Sequence, residues 1–99
     1  MAYNDSSEIK ETVGEWEKNS RGDYIRVTNV TPTNGKAGSV DIRNMYTNDD
    51  GDIKPTTKGI RVPKGMVGDV VVAMLRCLSA SEIEDVADGI CEVLGIECE

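Results

Sequence analysis

The feature that most constrains this fold is a change in hydrophobic periodicity at Pro63. Before Pro63, apolar and polar residues alternate as they do in half-buried strands; after Met66, apolar residues recur at helical spacing. Proline has no amide hydrogen to extend a strand ladder, so it marks the change. Strands followed by helices predict an α+β fold, in which the helices pack on one face of an antiparallel sheet. With 99 residues, the chain is expected to form one domain.

Four segments have the composition or alternation of strands: residues 9–18, 24–31, 39–47 and 58–62. In the first, strict alternation places Lys10 and Trp16 on one face. In the second, Val30 breaks the period set by Val27, which predicts a bulge near Thr28. Ile25, Val27, Val40, Ile42, Ile60 and Val62 are expected to face inward. The opposite face is then free for a ligand and carries Arg26 and Arg43.

Two amphipathic helices are expected after the strands. The first carries an apolar stripe from Val67 to Leu78, and the second covers residues 81–94. Ser79 and Glu82 have the spacing of a capping box, and Gly95 is placed to end the second helix. The expected organisation is a flexible N-terminus over residues 1–8, a binding domain over 9–78, and an acidic helix and tail over 79–99.

Charge is unevenly distributed along the chain. The net charge is −7, but residues 21–65 carry +3 and residues 66–99 carry −7. Asymmetry of this kind often marks a binding surface. Because the global field repels polyanions, any affinity for nucleic acid must come from the local field of the middle segment.

The residue inventory argues against an enzyme. The chain has no histidine, the commonest general base, and its three cysteines form neither an even disulfide set nor a four-ligand zinc site. No cofactor or metal site is expected, and the cysteines are interpreted as thiols in a reducing compartment. The polar first 20 residues are unlike a signal peptide, and no apolar run could span a bilayer. We therefore expect an unsecreted, cytoplasmic protein.

The most informative stretch is residues 41–60, which read as a strand, an acidic turn and a returning segment. Arg43, Lys54 and Lys58 supply positive charge, and Tyr46 supplies an aromatic ring. Sheets that bind unpaired nucleic acid use this combination, with cations for phosphates and a ring on which a base stacks.

This stretch resembles a known family. The run Asp-Ile-Arg, a turn ending in Gly51, and the run Lys-Pro-x-x-Lys-Gly-Ile that begins at Lys54 are similar to the single-stranded-DNA-binding domain of the positive cofactor 4 transcriptional coactivators and their small bacterial and phage relatives. The resemblance extends less tightly over residues 22–76. It implies a curved four-stranded sheet followed by a helix, a dimer formed through the helices, and binding of unpaired DNA without catalysis or a cofactor.

The resemblance also implies roles for single residues. Arg43, Lys54 and Lys58 occupy positions that contact the DNA backbone, and Tyr46 stands where the family commonly has a stacking tryptophan. Thr56 and Thr57 depart from the pattern, since the family often has a glycine and a basic residue there.

Other candidates follow from the residues themselves. Arg26 and Lys36 are candidate phosphate contacts, and Trp16 could either stack on a base or pack in the core. Asp41 is expected to orient Arg43 by charge pairing. Arg43 and Tyr46 are three residues apart, so a regular pleat puts them on opposite faces unless a bulge or the strand end separates them.

The leading hypothesis is a dimeric, non-sequence-specific single-stranded DNA-binding protein acting in transcription, replication or repair, in the nucleoid of a bacterium or phage-infected cell. RNA is an open alternative ligand. The competing hypothesis is a protein-interaction module whose acidic C-terminal helix binds a basic partner. No membrane partner is expected.

Overall fold

The computed structural model describes residues 8–95. The flexible N-terminus expected for residues 1–8 therefore lies, apart from Glu8, outside the described residues. The strands are β1 (Glu8–Glu17), β2 (Tyr24–Pro32), β3 (Ser39–Thr47) and β4 (Ile53–Pro63), and the helices are α1 (Lys64–Leu75) and α2 (Ala80–Leu94). The strands form one antiparallel sheet in the order β1-β2-β3-β4. The predicted α+β class is confirmed.

Strand β4 is longer than the sequence predicts, because it begins at Ile53 rather than at residue 58. The sequence pattern missed residues 53–57 because this segment contains Pro55, and proline cannot donate to a strand ladder. Among the described strands β4 pairs with β3 alone, so it is an edge strand of the sheet, where one side of the backbone needs no partner. Pro55 is tolerated there, opposite Met45.

The sheet contains two bulges, and neither is in β2. The predicted bulge near Thr28 is wrong, since β2 pairs with β3 without a shift in register. One bulge lies in β1, where Val13 is an extra residue between Thr12 and Gly14. The other lies in β4, where residues 56–58 stand opposite the single residue Asn44. Because an extra residue inverts the alternation beyond it, Lys10 and Trp16 lie on opposite faces.

The strand register defines two faces of the sheet, because directly paired residues project to the same side. The arginine face carries Arg26 and Arg43, which are paired, and Arg61, which is paired with Asp41. The apolar face carries the residues expected to point inward (Ile25, Val27, Val40, Ile42, Ile60 and Val62) together with Trp16. The six residues predicted to share a face do so, but Ile60 is 60% exposed rather than inward. The two most buried apolar side chains, Val30 and Met45, lie on the arginine face.

The chain divides into two compact units, Met1–Val67 and Gly68–Glu99, and the division falls within α1. In the first unit the most buried apolar side chains are Val30, Met45 and Val62. In the second unit Cys91 is buried and disulfide-bonded, whereas Cys77 carries an exposed free thiol. The expectation that the cysteines are unpaired thiols is thus wrong for Cys91. No helix among the described residues is long and apolar enough to cross a membrane.

The ends of α2 are as the sequence predicts. The Ser79 hydroxyl accepts from the Glu82 amide, and the Ser79 amide donates to the Glu82 carboxylate at 2.8 Å, which completes the capping box. This backbone hydrogen bond holds the pKa of Glu82 below its ordinary value. Gly95 ends the helix with φ at 72°, a left-handed conformation that favours glycine.

Replacing Ser79 by alanine is expected to destabilise the protein by about 1 kcal/mol, because the cap of α2 loses its side-chain acceptor. Urea denaturation followed by far-ultraviolet circular dichroism measures this loss. Ser81→Ala is the control: it removes only the contact between the two serine hydroxyls at 3.3 Å, and both hydrogen bonds of the capping box remain. Equal stability of the two variants would contradict the assigned cap.

Candidate nucleic-acid interface

A row of charged residues crosses the arginine face. Glu15, Arg26 and Arg43 are directly opposite one another on β1, β2 and β3. Two arginines facing each other across a strand pair repel, so carboxylates must balance them. Arg26 donates from Nε to the Glu15 carboxylate at 2.6 Å. The row is therefore largely neutralised within the sheet.

Arg43 is held more tightly than Arg26. Its Nε and Nη2 donate to the two oxygens of Asp41 at 3.0 and 2.9 Å, and its Nη1 donates to the Thr56 carbonyl at 3.0 Å. The hydrogen bonds to Asp41 raise the pKa of the Arg43 guanidinium above its ordinary value. Asp41 is itself buried. The expected charge pairing between Asp41 and Arg43 is present, in the strong bidentate form.

Two cations on this face were missed by the sequence reasoning. Lys10 and Arg61 line a cavity of about 210 Å³ together with Arg26 and Arg43. Arg61 also forms an ion pair with Glu8 at 3.3 Å. Arg61 lies between Ile60 and Val62 in the sequence, so strand alternation could have predicted that it projects from the opposite face. Lys10 could not be placed from the sequence, because the bulge at Val13 inverts the count along β1.

A second group of predicted residues lies along β3 and β4. Tyr46 and Lys54 are directly paired, and Lys58 lies in the β4 bulge. All three side chains are exposed, and 43% of the Tyr46 surface is accessible. Neither lysine makes an ion pair with any residue that the structure describes. We call Tyr46, Lys54 and Lys58 the lysine–tyrosine edge.

The acidic turn between β3 and β4 is held by its own hydrogen bonds. The Asn48 side-chain oxygen accepts from the amides of Asp50 and Asp52, and Gly51 adopts a φ of 85°. Asn48 thus organises the turn by the local hydrogen bonding typical of asparagine. The aspartates follow the end of β3 and form no ion pair with Lys54 or Lys58.

Trp16 lies on the apolar face, and 59% of its surface is exposed. Its ring covers Gly14, where an added Cβ would collide with the Trp16 ring. Trp16, Ile25 and Asn44 form a row across β1, β2 and β3, and the Lys18 ammonium lies 3.3 Å from the Asn44 side-chain oxygen. This end of the face therefore carries both an aromatic ring and a cation.

The structure separates the predicted site residues into groups. Arg26 and Arg43 lie together on the arginine face, whereas Tyr46 and Lys54 are paired on the opposite face. The bulge that could have joined Arg43 and Tyr46 is in β4 rather than in β3, so the regular pleat of β3 keeps them apart. Lys36 is exposed in the connection between β2 and β3.

The family model of the transcriptional coactivator p15 (PC4) matches residues 20–69, which is half of the chain. The chain belongs to this family. PC4 proteins are, as a family, single-stranded-DNA-binding transcriptional coactivators. The matched region contains every predicted contact residue except Trp16. No curated protein and no solved structure matches the chain significantly.

Within residues 8–95, no group of three or more acidic or cysteine side chains is arranged to hold a metal ion.

Proposed function

We propose that this protein binds single-stranded DNA without strong sequence preference, as a dimer, and that the lysine–tyrosine edge makes the principal contacts. Lys54 and Lys58 contact phosphates, and the ring of Tyr46 stacks on a base. We propose binding rather than catalysis, in the cytoplasm of a bacterium or phage-infected cell. Transcription, replication and repair all expose the unpaired DNA that such a protein would bind.

The observation that carries this proposal is the contrast between the lysines and the arginines. Arg26 and Arg43 are each engaged by a carboxylate at hydrogen-bonding distance. A phosphate must displace that carboxylate before it can bind either guanidinium. Lys54 and Lys58 have no such competitor among the described residues, so their charge is available to a polyanion at lower cost.

The ring beside these lysines favours unpaired DNA over duplex. A base stacks on an aromatic side chain only when its own face is free, and every base has such a face. Lys36 and Trp16, both exposed, are further candidate contacts. Arg26 is a weaker candidate because its Nε already donates to Glu15.

A competition experiment tests the preference for unpaired strands. Fluorescence anisotropy follows a labelled oligo-dT bound at low salt while unlabelled competitor is added. Unlabelled oligo-dT is expected to displace the probe efficiently, and a blunt duplex of equal length to displace it poorly. Equal displacement by the two would overturn the proposed selectivity. An oligo-U arm measures whether RNA is bound as well.

We propose that the dimer forms through the helices. Ile83, Val86 and Ile90 recur at helical spacing along α2, and between 37% and 41% of each is exposed. A stripe of exposed apolar residues on one helix face is typical of a surface that another protein covers. Sedimentation equilibrium is expected to give twice the chain mass of 10.7 kDa. A monomer at all concentrations would contradict the dimer.

A second candidate function is binding of a basic protein by α2. Between Ala80 and Leu94 the helix has five acidic residues and no basic one. None of these carboxylates forms an ion pair with a described residue. Their negative field is therefore open to a basic partner. A lysine-rich peptide should bind the protein and lose affinity when Glu84, Asp85 and Asp88 are replaced by their amides; no loss would reject this function.

A further inference from the structure

The β4 bulge lies inside the proposed binding edge and is unusually wide. Three residues, 56–58, stand opposite the single residue Asn44 between two regularly paired positions. A bulge of this kind re-aims the side chains beside it, and it needs local hydrogen bonds to hold one conformation. The conformation of this bulge determines where the Lys58 side chain points.

Thr56 supplies those hydrogen bonds. Its hydroxyl donates to the Asn44 carbonyl at 2.7 Å and accepts from the Lys58 amide at 3.1 Å. The same side chain thus ties the bulge to β3 and fixes the backbone of Lys58. The neighbouring Thr57 is exposed, and its side chain makes no hydrogen bond with any residue between Glu8 and Gly95.

Arg43 also holds the bulge, through the backbone carbonyl of Thr56. Its Nη1 donates to the Thr56 carbonyl, while Asp41 fixes the rest of the guanidinium. The guanidinium passes over Gly59, where an added Cβ would lie 2.7 Å from Cζ and 2.9 Å from Nη1. Three of the five guanidinium N–H donors are used within the sheet.

From these contacts we infer that Thr56 and Arg43 are positioning residues, which lock the β4 bulge so that Lys58 is presented to a phosphate. The inference rests on the proposed binding of single-stranded DNA by the lysine–tyrosine edge. It gives Arg43 a different role from that of Lys58: Arg43 acts on DNA through the bulge rather than by contacting a phosphate.

A double-mutant cycle in the full chain tests the coupling between Thr56 and Lys58. Thr56→Val keeps the shape of the side chain and removes the hydroxyl. It is expected to weaken oligo-dT binding about fivefold, the effect of one hydrogen bond. The dependence of log Kd on log salt should stay unchanged, since no phosphate contact is removed. In a Lys58→Gln background, Thr56→Val should have no further effect. Thr57→Val is the matched control and should bind as the wild type does.

Equal weakening by Thr56→Val in the presence and absence of Lys58 would overturn the inference, as would wild-type affinity of Thr56→Val. A second measurement does not depend on DNA. Thr56→Val should accelerate hydrogen exchange at the Lys58 amide, which loses its acceptor, while Thr57→Val should not. Unchanged exchange would reject the lock even if DNA binding itself failed. Loss of DNA binding by the wild type would reject only the proposed function.

Asp41→Asn separates the two possible roles of Arg43 when it is made in an Arg61→Gln background, because Asp41 also pairs with Arg61 at 3.9 Å. If Arg43 positions the bulge, loosening its anchor should weaken DNA binding with an unchanged salt dependence. If Arg43 contacts phosphate, removing the competing carboxylate should tighten binding and steepen the salt dependence. Tighter binding would therefore overturn the positioning role.

Discussion

Replacing Lys54 and Lys58 together by glutamine is expected to weaken binding to oligo-dT about a hundredfold at low salt, since each lost charge-assisted hydrogen bond costs about tenfold or more. The same change should reduce the slope of log Kd against log salt by about 1.4, because each phosphate contact on a single strand contributes about 0.7. Fluorescence anisotropy over a salt series measures both quantities. The fold should be unaffected, because both side chains are exposed and form no ion pair within the described part of the chain.

The matched control is the pair Lys64→Gln and Arg76→Gln. It changes the net charge of −7 by the same amount and also removes exposed cations. Only the long-range repulsion between the protein and DNA should rise, so the affinity should change little. If the control pair weakens binding as much as Lys54→Gln with Lys58→Gln does, the contacts are not localised at the lysine–tyrosine edge.

Replacing Tyr46 by alanine is expected to reduce the free energy of binding by about 1–3 kcal/mol, the range measured for stacking one base on an aromatic side chain. The salt slope should stay the same, because the tyrosine carries no charge. Tyr46→Phe keeps the ring and should bind nearly as well as the wild type.

An oligonucleotide without bases isolates the stacking contribution of Tyr46. Wild type and Tyr46→Ala should bind this backbone with equal affinity if the ring acts only on bases. A loss of affinity for the backbone alone would indicate that Tyr46 acts through the structure of β3. Equal affinity of the two proteins for oligo-dT would remove Tyr46 from the interface.

Regular alternation made much of the sheet predictable from sequence. The strand at residues 39–47 has the predicted bounds, and Ile25, Val27, Val40, Ile42, Ile60 and Val62 share one face as predicted, whereas the buried Val30 and Met45 lie on the arginine face. Ser79, Glu82 and Gly95 end α2 by local hydrogen bonds and backbone conformation, which short patterns specify well. The match over residues 20–69 likewise follows motifs that are visible in the sequence.

The two bulges could not be predicted from the sequence. They account for the largest differences between the predicted and the observed positions of the site residues. Val13 in β1 moves Lys10 to the arginine face and leaves Trp16 on the apolar face. The β4 bulge depends on Thr56 meeting Asn44 and Arg43, which are 12 and 13 residues away in the chain. Such contacts form only after two strands have paired, so local sequence preference does not reveal them.

Ion pairs between neighbouring strands could not be predicted from the sequence either. The contact between Asp41 and Arg43 could be expected from their spacing, but that between Glu15 and Arg26 depends on the register of β1 with β2. A single extra residue set that register. The distinction between engaged arginines and open lysines, on which the proposed function depends, therefore required the structure.

The most direct test of the account is the affinity of the wild-type protein for a labelled oligo-dT as salt is raised from a low concentration. Binding should be measurable at low salt and fall linearly in a log–log plot. Its slope should be steeper than about −1.4, the share expected from Lys54 and Lys58 alone. No binding at low salt, or an affinity that does not change with salt, would contradict the proposal that this sheet binds the phosphate backbone of unpaired DNA.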